Sequence, residues 1–312
     1  MHVHVQRCWE TDNEVGAKAL CGTSLALSPD MSSSEFSSHP ALDGATIAGL
    51  EHTAFRLASA AGQQICAALR GSVEVDFKPP DSGRPQDSNP VSDVDRDIES
   101  FIRSRLAIAY PDHAVIGEEL PTSGTAQLTW IIDPIDGTSN FINGLPLFAC
   151  SVGVLYEGHP VAGAIWCATS HTLMPGTYHA ATGSQLKFDG RALSRRSRGR
   201  GRGLAAEPGC APLYAALWDT RVLGCATIEF AFVASGLLSI AYIPRPRIWD
   251  AAAGLALLRA ADCRAVVQRG AAWDTMLYFQ ASQSSTDDLA GWSEPLLIGT
   301  EVEINRATGR TE

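Results

Sequence analysis

Nine residues constrain this chain more than any other stretch: Trp130-Ile131-Ile132-Asp133-Pro134-Ile135-Asp136-Gly137-Thr138. An apolar run suited to a buried strand delivers two carboxylates three residues apart, then turns through glycine into a helix start. Hard cations such as Mg²⁺ are bound by carboxylate, carbonyl and phosphate oxygens. Two of them about 3.5–4 Å apart clamp the attacking and leaving oxygens of a phosphoryl transfer. Asp133 is placed to bridge such a pair, Pro134 stiffens the turn so that the Ile135 carbonyl can face the ions, and Asp136 reaches the second one. Gly137 and Thr138 then offer N–H groups at a helix N-terminus, where phosphate oxygens are favoured. Read alone, the same string serves equally as an acidic β-turn whose Asp caps a helix.

Two further acidic elements follow apolar runs. Ile116-Gly117-Glu118-Glu119 sets two carboxylates side by side, which is costly unless they are exposed or neutralised by cations; exposure serves Glu119 as well as binding does. Ile248-Trp249-Asp250-Ala251-Ala252-Ala253-Gly254 puts one carboxylate at the mouth of a small-residue helix, where in isolation it reads as a cap.

A chain of 312 residues exceeds what one core usually holds, so two packed subdomains are expected. Residues 1–45 lack periodicity and read as a disordered tail. Residues 46–193 form an N-terminal subdomain, opening with a long amphipathic helix (Ile47, Leu50, Ala54, Leu57, Ala58, Ala61, Ile65) that ends near Gly71. Lys78 to Pro90 reads as a loop. A second helix follows, with Ser92 or Asp93 as its cap, then short strands in an antiparallel sheet. Residues 194–203, rich in Arg and Gly, read as a solvated linker loop. Residues 204–312 form a C-terminal subdomain containing Asp250. The formal net charge of −10 works against nucleic-acid binding. No apolar run approaches the ~18–20 residues that span a bilayer. Eight scattered cysteines without a C-x-x-C pair read as buried hydrophobes in a reducing compartment. A cytoplasmic protein is the expectation.

Glu118-Glu119 after Ile-Gly, the Asp133-Pro-Ile-Asp136-Gly-Thr138-Ser-Asn-Phe141 run, and Trp249-Asp250-Ala-Ala-Ala-Gly254 together resemble, in order and spacing, the inositol monophosphatase superfamily. The segment from Val91 through Asp95 and Glu99 to Glu119 resembles its approach to the metal-binding glutamate. The resemblance spans roughly residues 46 to 280. It implies an α/β layered sandwich (α-β-α-β-α) and a Mg²⁺-dependent, lithium-sensitive phosphatase acting on a small phosphorylated metabolite such as inositol monophosphate or another sugar phosphate. It also implies two or three Mg²⁺ ions, no nucleic-acid or membrane partner, and a homodimer as the family expectation. Carried over by residue, Glu118, Asp133 and the Ile135 carbonyl hold the first ion, while Asp133, Asp136 and Asp250 hold the second. Glu118 and Thr138 orient the attacking water, and Asp95 acts near the metals through water. Gly137, Thr138 and the segment Gly224-Cys225-Ala226 contact substrate.

The departures bear on specificity. Ser239 and Ile243 stand where inositol phosphatases usually carry acidic residues, and Ile243 cannot accept a hydroxyl hydrogen bond, so myo-inositol 1-phosphate is not expected to be the best substrate. Arg245 and Arg247 would suit a more anionic one. Histidinol phosphate, a 3′-phosphonucleotide, or a catalytically silent binding role are the alternatives. Ala261-Asp262-Cys263 replaces the family's glycine pair, and Asp262 is expected in the left-handed region there.

Overall fold

The computed structural model describes residues 42–71, 74–77, 90–196, 202–206, 216–270, 272–280 and 286–309. Most of the expected tail, Lys78 and residues 197–201 of the basic segment lie outside these.

Helix α1 (Gly44–Ala68) starts three residues before the first periodic apolar position, Ile47, because Asp43 caps it: its Oδ1 accepts the Thr46 N–H at 2.8 Å. A short hairpin, β1 (Val75–Phe77) and β2 (Pro90–Ser92), leads into α2 (Asp93–Ala109), where Ser92 and Asp95 form a capping box. Strands β3 (Ala114–Gly117) and β4 (Leu128–Asp136) precede the one-turn α3 (Thr138–Ile142). Then come β5 (Ala149–Tyr156), β6 (His159–Cys167), β7 (Gly176–Ala181), β8 (Lys187–Phe188) and β9 (Arg191–Ala192). Among the described residues these make a seven-stranded sheet ordered β3-β4-β5-β6-β7-β8-β9, antiparallel except for the β3–β4 pair.

The second half holds β10 (Leu204–Ala206), β11 (Asp219–Arg221), α4 (Ala226–Ser235), β12 (Ile240–Ile243) and α5 (Ile248–Arg259). After them come β13 (Arg264–Arg269), β14 (Ala272–Thr275), α6 (Thr286–Ala290), β15 (Leu296–Gly299) and α7 (Glu301–Thr308). Its sheet is ordered β11-β10-β12-β15-β13-β14. Asp262 has φ 53°, the left-handed turn expected between α5 and β13.

Among the described residues, three apolar clusters hold five layers together, the central one spanning both faces of the middle helix layer. Helices α1 and α2 pack on one face of the first sheet through Leu57, Ile65, Ile98, Trp130 and Trp166. Helices α4 and α5 fill the space between the sheets, and α7 closes the outer face of the second sheet around Trp218, Leu297 and Ile304. A layer covered on both sides has no polar stripe, which is why α4 and α5 are apolar nearly all round. It is also why β4 and β5 read as continuous buried runs rather than alternating ones.

The small residues of α5 set its depth. A Cβ at Gly163 of β6 would lie 2.6 Å from the Ala253 Cα, and one at Gly153 of β5 2.8 Å from the Ala253 N. Glycines on the sheet and alanines on the helix let the two backbones nearly touch, which brings the N-terminus of α5, with Asp250, close against β4.

Candidate metal centre

Asp133 and Asp136 are three residues apart on one strand, and a regular strand would point them to opposite faces. The β4–β5 register prevents this. Asp133 pairs with Ser151 and Asp136 with Ala149, so one extra residue of β4 bulges out between them. The bulge converts a spacing of three into an effective two and turns both carboxylates to one side. Pro134 lies inside the bulge, where its missing N–H breaks no ladder. What reads in sequence as a turn is therefore an irregular continuation of the strand.

Asp250 enters from the first turn of α5, and its Oδ2 accepts the Arg247 N–H at 2.7 Å. Capping and cluster membership are thus both its role. One carboxylate oxygen each from Asp133, Asp136 and Asp250 lies within 4.8 Å of the others. Glu118 follows β3, whose Gly117 pairs with Ile132, and its N–H donates to the Ile132 carbonyl at 3.2 Å, so it flanks Asp133.

Burial pushes the Asp133 carboxyl well above its ordinary range, and the charges of Glu118, Asp136 and Asp250 push it further. Asp250 is raised by burial and by Asp136, although a hydrogen bond with Asp133 opposes this. Oδ1 of Asp133 is buried with no hydrogen-bond partner. Acids this close must share protons or a cation, and an orphaned buried carboxylate oxygen among all-oxygen donors fits a hard divalent cation.

Around this cluster the chain is tied tightly. Thr138 Oγ1 donates toward the Ile135 carbonyl at 2.9 Å and Asp95 Oδ1 at 3.2 Å. Asp95 is buried, and its Oδ2 accepts both the hydroxyl and the N–H of Ser92. Burial raises its pKa to about 6, against hydrogen bonds from Ser92 and Thr138, and the Glu119 charge adds to the rise. Glu99, fully buried, accepts the Glu119 N–H at 2.7 Å and pairs with Arg103, holding the turn that carries Glu118. Gly137 has φ 82°, and a Cβ there would meet the Leu147 carbonyl at 2.8 Å. Asn140 Nδ2 donates to the carbonyls of Leu147 at 2.7 Å and Leu223 at 2.8 Å, which fastens the loop leading to Gly224.

With the geometry in hand, comparison with known proteins gives a match of the model for the inositol monophosphatase family over residues 48–278. This chain belongs to that family. The inositol-1-monophosphatase SuhB of Mycobacterium tuberculosis is 34% identical over 206 residues, 58% of this chain and 69% of the relative. The inositol-1-monophosphatase ImpA of Mycolicibacterium smegmatis is 30% identical over 293 residues, 87% of this chain and 97% of the relative. The crystal structure of the extragenic suppressor protein suhB of Bartonella henselae superposes with a TM-score of 0.65 over 85% of this chain and all of that one, at 24% identity, and supports the layered fold. The inositol monophosphatase family is one of Mg²⁺-dependent phosphomonoesterases, and the Asp133–Asp136–Asp250 cluster is consistent with a divalent-metal site. No helix among the described residues is long and apolar enough to cross a membrane.

Two expected substrate contacts look different in the fold. The Ile243 side chain is 5% exposed and belongs to the central core, and Cys225 is 2% exposed, with its thiol directed at Asp136. Neither side chain is available as a polar contact to a substrate. Gly224 and Ala226 remain at the start of α4, Arg245 is exposed and Arg247 half-buried. Sequence reasoning missed Thr227, whose N–H donates to Asp136 Oδ2 at 2.6 Å. No local signal marks it, because its partner is 91 residues away.

Proposed function

We infer that this protein hydrolyses the phosphate monoester of a small polyol or sugar, with Mg²⁺ held by Glu118, Asp133, the Ile135 carbonyl, Asp136 and Asp250. The observation that carries this reading is the orphaned, buried Asp133 Oδ1 among the converging acids. When bound, two or three Mg²⁺ ions supply the charge that acidifies a water and neutralises the leaving oxygen. The remaining work falls to the chain. Thr138 Oγ1, 3.2 Å from Asp95 Oδ1, takes a proton from the attacking water as it passes its own to Asp95. Glu118 orients that water from the end of β3. The Gly137 and Thr138 amides hold phosphate oxygens, and the backbone of Gly224 and Ala226 borders the leaving group.

The relatives' names point to inositol 1-phosphate, whereas Ser239 stands where an acidic residue is usual, and Ile243 lies in the core rather than on the substrate side. The deciding measurement is Mg²⁺-dependent phosphate release across myo-inositol 1-phosphate, sugar phosphates, histidinol phosphate and a 3′-phosphonucleotide. At least one is expected to be turned over, with inositol 1-phosphate not the best. Asp133→Asn should lower turnover more than about a hundredfold, since even a change of an outer-shell partner costs about 10–100-fold. Near-native turnover of that variant at saturating Mg²⁺ would remove Asp133 from its bridging role. Release from none of the four would favour the silent binding role.

A further inference from the structure

Asp136 belongs to β4, yet groups that hold its carboxylate come from α4 in the other half of the chain. The Thr227 N–H donates to Asp136 Oδ2 at 2.6 Å, and the Cys225 thiol donates to the same oxygen at 3.2 Å. The thiol also lies 3.4 Å from the Asp136 carbonyl oxygen. Cys225 occupies the N-cap of α4 without making a side-chain capping bond, and its sulfur also lies 3.5 Å from the Thr227 Oγ1. Thr227 and Cys225 are both almost wholly buried, while Asp136 itself is half-buried.

We propose that Cys225 is a positioning residue for metal binding, its thiol fixing the Asp136 carboxylate in the orientation that faces Asp133 and Asp250. This rests on the metal reading of the cluster given above. The Thr227 hydroxyl and the Gly137 backbone also reach this carboxylate, so several donors together limit its swing about the Cβ–Cγ bond. The thiol is one of them, and losing it loosens the carboxylate before a cation arrives. A thiol is a weak donor, but an ionised acceptor strengthens any hydrogen bond made to it. Partners of this kind set the orientation of metal ligands, and losing one lowers metal affinity by about 10–100-fold.

The test is a calorimetric titration of metal-stripped protein with Mg²⁺ alone, on the full chain, alongside melting in EDTA. Cys225→Ala should weaken Mg²⁺ binding about tenfold, at the low end of that range because the donor is weak. Cys225→Ser, which keeps a donor, should stay within about threefold of wild type on the same scale. A merely structural cysteine would instead lower the melting temperature of Cys225→Ala and leave its Mg²⁺ affinity unmoved. Cys225→Val and Cys225→Thr, alike in shape and different by one hydroxyl, give the same comparison should the alanine variant not fold. Wild-type affinity in Cys225→Ala, or equal weakening by Ser and Ala, would overturn the proposal while leaving the metal centre standing. A wild type that takes up no Mg²⁺ would overturn the metal reading, and this inference with it.

Discussion

At Asp95, burial and hydrogen bonding pull the charge in opposite directions. Removal from water favours the protonated acid, the Ser92 and Thr138 donors favour the anion, and the pKa stands at about 6. If Asp95 receives the proton relayed through Thr138, it must be ionised for turnover. The rate should therefore fall as pH drops through about 6, and a bound cation, which favours the anion, would move that limb lower. A pH profile of kcat/KM at saturating Mg²⁺ checks this, and Asp95→Asn should lower the rate and abolish the limb. An unchanged limb in that variant would assign it to another acid. Ile243 shows the same physics from the other side. Placing a carboxylate there would drive a charge into the central core rather than offer it to a substrate.

Between elements, the decisive contact is α5 on the first sheet. Asp250 can meet Asp133 only because Gly153 and Gly163 let the Ala251-Ala252-Ala253 turn sit directly on the strands. Gly163→Ala would put a methyl 2.6 Å from the Ala253 Cα, so helix and sheet must part. Overpacking of this kind costs about 1–3 kcal/mol. Activity is expected to fall further than that loss of stability explains, because the separation moves Asp250 away from its partners. Melting curves and Mg²⁺ titration of the variant measure the two effects separately. A variant that melts lower but binds Mg²⁺ with wild-type affinity would show that the cluster tolerates the shift.

Across the whole molecule, the two halves are sewn together at the site. Asn140 reaches Leu223, Thr227 and Cys225 reach Asp136, and Asp250 crosses from α5 to Asp133. A cation that binds here without supporting turnover should therefore inhibit rather than activate. By family, Li⁺ is expected to do so at the Asp133–Asp136–Asp250 position. Phosphate release at fixed Mg²⁺, titrated with Li⁺ beside a lithium-sensitive family member, is the measurement, and insensitivity here would mark a site of different character.

The layered fold and the identity of the acids were legible in the sequence, because apolar period, capping residues and the Asp-Pro-Ile-Asp-Gly-Thr run are local properties of the chain. Ser92 at its cap and Asp262 in its left-handed turn are of this kind. Local sequence could not decide whether Asp133 and Asp136 share a face, whether Asp250 is more than a cap, or what Cys225 touches. The first depends on a bulge set by pairing with β5, the second on the glycine-lined seat of α5, and the third on a contact across 89 residues. Each is fixed by which backbone lies against which, and that is settled only when the apolar layers close.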